Sequence, residues 1–241
     1  MSKEWRIGCS GFYNRNWKGV FYPEDFPQSK FFNYYSEKFN SLELNVTFYR
    51  FPKTETLKKW HDKSPGGFDF AVKAPKLITH MKKLNDCDRL LDDFYSACED
   101  GLKEKLGCTL FQFPPSYKYT EERLEQVIKS LRSEFKNVIE FRDAGWWNKK
   151  VYDTLAENKI IFCTVNHPKL PEDIVINSDT AYIRLHGNPD IFYSKYSYEE
   201  LQKLYAAVNK KRKVKTIYIF FNNTASTAGV LNALEMKTLT A

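Results

Sequence analysis

The chain has 241 residues, 42% of them hydrophobic and 28% charged, and Lys+Arg 37 against Asp+Glu 30 leave a formal charge of +7. These proportions exclude wholesale disorder, and no apolar run approaches the roughly 20 residues that span a bilayer. Met1-Ser2-Lys3-Glu4-Trp5 lacks the apolar core of a secretory signal, so a soluble, cytoplasmic protein with no membrane partner is expected.

Short apolar runs alternate with longer segments of helical period. The runs at 6–10, 41–46, 68–73, 108–113, 138–142, 160–166, 181–186 and 216–222 are expected as strands. The helical segments fall at 30–39, 54–63, 87–103, 120–135, 149–158, 198–210 and 228–237. The sixth interval, 168–177, contains Pro168 and Pro171 and predicts an irregular crossover. Ser29, Asp86, Thr120, Ser197 and Thr224 are placed to cap helix N-termini. A strand that returns through a crossover runs parallel to its predecessor. Eight such units of about 30 residues make an α/β protein with a single (β/α)8 TIM-like barrel. An open dinucleotide-binding sheet is disfavoured, because the glycines of Gly8-Cys9-Ser10-Gly11 have the wrong spacing. No linker or composition break divides the chain, so 1–241 reads as one domain.

The cysteines, Cys9, Cys87, Cys98, Cys108 and Cys163, are odd in number, scattered and free of any C-x-x-C pair. That argues against a disulfide framework, a zinc ribbon or an iron–sulfur cradle. Cys9 and Cys163 lie in apolar runs and are expected to be small buried residues. The four histidines, His61, His80, His167 and His186, do not assemble a multi-zinc site.

Side chains alternate faces along a strand, so parity sorts the barrel interior from the helix-facing side. Glu43 and Asn45 share one face of their run, Glu140 and Arg142 share one, and Tyr182, Arg184 and His186 share another. Lys73, Gln112 and Asn222 close three further strands. Polar residues therefore collect at the C-terminal strand ends, where barrel enzymes carry their chemistry.

Several motifs match one family in succession: Ile7-Gly8-Cys9-Ser10-Gly11, Leu42-Glu43-Leu44-Asn45 with Thr47-Phe48-Tyr49, and Phe70-Ala71-Val72-Lys73-Ala74-Pro75. Ile78-Thr79-His80, Phe111-Gln112-Phe113-Pro114-Pro115, Glu140-Phe141-Arg142 with Trp146, Arg184-Leu185-His186-Gly187 and Phe221-Asn222-Asn223 continue the series. Together they resemble the YecE-like family, a domain of unknown function. The resemblance runs nearly end to end and implies a TIM barrel and the place of its pocket, with no settled reaction to transfer. Three positions depart from the family pattern. Asn166 stands where the family usually has Asp, and Thr224 and Ala228 replace a usual Asp and His.

The expected function is an enzyme, a hydrolase of phosphodiester or glycosidic bonds, acting at the mouth on a phosphorylated, sugar-like or nucleotide-containing anion. Glu43 and Glu140 are candidates for acid/base work or for holding a single Mg or Mn ion; no cofactor is otherwise indicated. His186 is expected to carry protons near neutral pH. Arg142, Arg184 and Lys73 would hold the anion, with Asn45, Gln112 and Asn222 orienting it. Lys73 could form a Schiff base, although an ion pair with a barrel glutamate is the commoner fate of such a lysine. Thr224 opens a hydroxyl-bearing loop, 224–229, suited to a phosphate at a helix N-terminus. Phe12, Tyr13, Trp17, Phe48, Tyr49, Trp146, Trp147, Tyr193 and Tyr196 could rim the mouth for a sugar or base. The alternative is a non-catalytic barrel that binds a nucleic-acid fragment or nucleotide, or senses a metabolite. The basic run 210–215 falls between the seventh helix and the eighth strand, on the opposite face of the barrel.

Overall fold

The computed structural model describes residues 3–240. Eight parallel strands, β1 (Glu4–Cys9), β2 (Ser41–Leu44), β3 (Asp69–Lys73), β4 (Leu106–Gln112), β5 (Asn137–Glu140), β6 (Ile161–Asn166), β7 (Thr180–Leu185) and β8 (Thr216–Phe221), form a nearly closed barrel in the order β1-β8-β7-β6-β5-β4-β3-β2. The helices are α1 (Phe31–Lys38), α2 (Val46–Tyr49), α3 (Thr54–Lys63), α4 (Asp88–Leu102), α5 (Glu121–Ser130), α6 (Lys149–Glu157), α7 (Tyr198–Asn209) and α8 (Ala228–Leu239). The fold is the TIM-like barrel expected from the alternation. The crossover from β6 to β7 carries no helix, as Pro168 and Pro171 dictate.

Two apolar layers follow from strand parity. Residues such as Ala71, Leu110, Val138, Cys163 and Phe220 fill the barrel interior. The opposite parity, including Phe70, Phe111, Ile139, Phe162 and Ile219, packs against the helices. All five cysteines are free and buried. Thr120 and Ser197 cap α5 and α7, Ser197 within a capping box with Glu200. The other expected caps are not formed: the N-cap positions of α1, α4 and α8 are held by Lys30, Cys87 and Thr227, none with a side-chain bond to the helix. Asn148 caps α6 instead, accepting from Val151 N–H.

β1 and β2 lie at the two ends of the strand order and share no backbone ladder. Side chains close this seam. The Asn40 amide accepts from Ile7 N–H (2.9 Å) and donates to the Trp5 carbonyl (2.8 Å), imitating a strand residue. The buried Tyr35 hydroxyl accepts from Cys9 N–H (2.7 Å) and donates to the Ser41 carbonyl (3.0 Å). The strands approach so closely that a Cβ at Gly8 would lie 2.0 Å from the Ser41 carbonyl oxygen, which makes glycine obligatory there. Replacing Tyr35 with Phe leaves a buried N–H and carbonyl unpaired. It should cost about 1–3 kcal/mol of stability, read from urea unfolding midpoints at unchanged m-value.

Candidate functional site

The interior parity of β2, β5 and β7 brings Glu43, Glu140 and Arg184 to one point, each 0% exposed. Arg184 lies between the two carboxylates. Its Nε and Nη2 donate to Glu43 (2.9 Å to Oε2 and 2.6 Å to Oε1), and its Nη1 donates to Glu140 Oε2. Glu43 also accepts from Ser10 Oγ and Tyr182 Oη, both at 2.6 Å. Glu140 Oε1 accepts from Arg142 Nε. Burial alone would raise the Glu140 pKa, but the Arg142 and Arg184 charges outweigh it and hold the carboxyl well below its usual range.

This arrangement corrects two expectations. Arg184 has no solvent-facing surface and spends its guanidinium on the two glutamates, so it is not free to hold a ligand. The two glutamates in turn do not fit a divalent cation, because every carboxylate oxygen already accepts from a guanidinium, alone or with a hydroxyl. Among the described residues, no three His, Cys, Asp or Glu side chains form a group able to hold a metal.

His186 sits above this cluster, also 0% exposed. Arg142 Nη2 lies 2.9 Å from its Nε2 and the Asn222 amide 2.6 Å from its Nδ1. A guanidinium only donates, so Nε2 of the neutral ring accepts from Arg142. Burial, reinforced by the Arg142 charge, pushes the His186 pKa down to about 3. The ring is therefore neutral at physiological pH and does not exchange protons near neutrality, in contrast to the role expected of an unperturbed imidazole.

Lys73 ends β3 and is 8% exposed. The expected ion pair with a barrel glutamate is not formed, because Arg184 and Arg142 occupy both carboxylates. Lys73 Nζ instead donates to Gln112 Oε1 (2.7 Å) and lies 4.2 Å from the Phe48 ring centroid. The strand end is pinned by Thr47, whose hydroxyl donates to the Lys73 carbonyl (2.6 Å). Burial, with a further push from the Arg184 charge, lowers the Lys73 pKa to about 8. Two carboxylates thus face three cations, and the surplus charge is the one on Lys73.

Asn45 precedes the short α2 without a side-chain bond to it and donates to the Ser10 carbonyl (3.2 Å), while its Oδ1 is buried without a partner. Of the expected aromatic rim, Tyr13, Tyr49 and Tyr193 are 58%, 78% and 64% exposed on the loops after β1, β2 and β7. Trp17 and Trp146 are fully buried. Trp146 stacks on Phe141 (3.7 Å between ring centroids) and donates from Nε1 to the Tyr117 carbonyl (2.8 Å). It belongs to the layer between sheet and helices and is withdrawn from the mouth. The Thr224 carbonyl accepts from Asn14 Nδ2 (2.5 Å), which ties its loop to the one after β1. Asn166 accepts from Tyr196 Oη (2.6 Å) and so serves loop packing.

Ser10 and Tyr182 complete the site although sequence reasoning gave neither of them a role, and Phe48, expected on the aromatic rim, flanks Lys73. Parity with Arg184 was the available signal for Tyr182, and the end of β1 for Ser10. His80, pushed down to about 4 chiefly by burial and then by the Lys73 charge, packs edge-on against Phe48. The run Lys210-Lys211-Arg212-Lys213 lines an open cavity of about 830 Å³ with Asp153 and Asp179. It lies between α7 and β8, at the opposite end from the charge cluster.

The fold and cluster define a (β/α)8 barrel with a charged floor beneath its C-terminal mouth, and the chain belongs to the family described as "Protein of unknown function DUF72", whose sequence profile matches residues 6–241. It is similar to UPF0759 protein YunF of Bacillus subtilis (strain 168), 24% identical over 97% of this chain and 93% of that protein. UPF0759 protein YecE of Escherichia coli (strain K12) is 25% identical over 70% of this chain and 72% of that protein. A DUF72 family protein from Thermotoga maritima MSB8 has a solved structure that superposes with a TM-score of 0.88, at 32% identity over 98% of both chains. One from Enterococcus faecalis V583 gives 0.84 at 19% identity, over 98% of this chain and 95% of that one. Among the described residues no helix is long and apolar enough to cross a membrane.

Two outcomes test the cluster. Glu140→Gln leaves Arg184 and Arg142 short of a buried negative charge and should cost about 3–5 kcal/mol in chemical denaturation. His186 has a folded pKa near 3, below its unfolded value of about 6.5. The unfolded chain therefore binds the extra proton as pH falls through that window, and stability present above pH 6.5 is lost on acidification. His186→Gln should remove about 1.4 kcal/mol per pH unit from the stability slope between pH 6 and pH 4; an unaltered slope would mean that the ring titrates normally.

Proposed function

We propose that this barrel is an enzyme that binds a small phosphorylated, sugar-like or nucleotide-containing anion at its C-terminal mouth. The observation that carries this reading is the charge imbalance: Glu43 and Glu140 are spent on Arg184 and Arg142, leaving Lys73 without a counter-ion. An anion entering the mouth would meet Lys73 and the outer edge of Arg142. Gln112, Asn222 and the unpartnered Oδ1 of Asn45 would orient it. Exposed Tyr13, Tyr49 and Tyr193 favour a ligand with a sugar or base to stack.

The chemistry is constrained by the same imbalance. Glycosidic hydrolysis needs two carboxylates flanking the bond, and here a guanidinium occupies the space between them. Glu43 and Glu140 are therefore read as positioning residues, which hold Arg184 and aim Arg142. Of the groups at the mouth, Lys73 is the one whose charge changes near neutral pH. The purely binding alternative has the same contacts but predicts no turnover of any ligand.

AMP and glucose 1-phosphate test the reading by calorimetry. Lys73→Gln should weaken binding by roughly 10- to 100-fold, the worth of a charge-assisted hydrogen bond. Wild-type affinity should fall as pH rises through about 8, because the ammonium that pairs with the anion is lost. Equal affinities in wild type and Lys73→Gln would remove the lysine from the site.

A further inference from the structure

We infer that Lys73 is a nucleophilic amine that forms an imine with a short carbonyl compound carrying a phosphate or carboxylate at its far end. This rests on the anion site proposed above and names its substrate class. The geometry supplies three requirements of such a lysine. First, it needs freedom from a carboxylate, since an ion pair holds the proton on nitrogen and blocks the lone pair. Both interior carboxylates are already clamped by arginines, and the Nζ contact is to the neutral Gln112 amide (2.7 Å). Second, it needs a dry flank, and the Phe48 ring lies against Nζ at 4.2 Å. Third, it needs access, and Lys73 keeps 8% exposure where Glu43, Glu140, Arg184 and His186 have none.

The spacing sets the substrate's length. Lys73 and Gln112 end the adjacent strands β3 and β4, and Gln112 pairs in register with Glu140 of β5. Arg142 follows two residues later and bonds Glu140. Strands two apart are separated by roughly 10 Å, so Lys73 and Arg142 can take the two ends of a chain of about three to five carbons. Arg142 would receive the anionic end and Lys73 the carbonyl carbon, with Gln112 between them.

The step balances without an oxidant or cofactor. The ammonium first gives its proton to water; with a pKa of about 8, about a tenth of the lysine is free amine at pH 7. The Nζ lone pair adds to the carbonyl carbon and the carbonyl π pair moves to oxygen, which takes a proton as the Nζ ammonium gives one to water, leaving a neutral carbinolamine. Loss of the oxygen as water, after a second proton is taken up, leaves a protonated imine on Nζ. That cation can accept electrons from a neighbouring carbon, which is the chemistry of carbon–carbon cleavage, condensation and isomerisation.

Borohydride trapping on the full chain tests this. Wild-type protein is treated with glyceraldehyde 3-phosphate or with neutral glyceraldehyde, reduced, digested and mapped by mass spectrometry, and AMP binding is measured on the same preparation. The expected result is a reduced adduct at Lys73 at least tenfold more abundant than at exposed Lys53 or Lys76, and stronger with the phosphorylated probe. Lys73→Arg should abolish that adduct, whereas Lys76→Arg, at an exposed position, should leave it unchanged. AMP binding without a Lys73 adduct, or adducts spread evenly over surface lysines, would overturn the imine and leave the anion site standing. Equal trapping of both probes would keep the imine and overturn the anion reading. Failure of both trapping and AMP binding would overturn the two together.

Discussion

A single buried guanidinium organises this protein. Arg184 lies where strands from opposite walls converge, and taking it and two carboxylates out of water carries a desolvation cost of several kcal/mol per ion. Mutual attraction offsets that cost only if every donor and lone pair is matched. The matching groups come from around the barrel: Ser10 beyond β1, Glu43 on β2, Glu140 on β5, and Tyr182 and Arg184 on β7. The cluster is best understood as a geometric constraint, fixing the relative height of strands that are remote in sequence, and only secondarily as a source of stability.

Its chemical effect is felt one layer higher. Because the carboxylates are used below, the groups above them are cations and neutral amides. Burial and the neighbouring guanidinium leave His186 uncharged and committed to Arg142 and Asn222. Lys73 is left charged but loosely so, against an aromatic ring and an amide oxygen. The mouth is therefore electropositive with one labile proton, and that proton sits on nitrogen.

Strand parity made much of this legible in advance. Alternation along single strands places Glu43, Lys73, Gln112, Glu140, Arg142, Arg184 and His186 inside the barrel, and all seven take part in the interior network. Parity cannot tell which interior groups take one another. That Arg184 would consume both glutamates and release Lys73 depends on a three-body contact among β2, β5 and β7, set by the stagger of the closed barrel. Trp146 was illegible for another reason: it follows β5 in a loop, where alternation says nothing. Its place is decided by the exposed-to-helix face of Phe141, on which it stacks. Thr120 and Ser197 were readable as caps because acidic first turns follow them. Thr224 carried the right side chain in a loop whose helix begins only at Ala228.

The seam between β1 and β2 also bears on the order in which the molecule is made. β1 emerges from the ribosome before the other seven strands, yet its ladder partner is β8, more than 200 residues later. At about 5–20 residues per second of synthesis, the first strand waits many seconds for its neighbour, held to β2 by side-chain bonds from Tyr35, Asn40, Ser10 and Asn45. Glu43 likewise waits for a cation that is encoded 141 residues downstream. The barrel and its charge cluster are thus completed only once β7 and β8 have emerged, and a nascent chain stalled before β7 carries two carboxylates in its interior with no guanidinium between them.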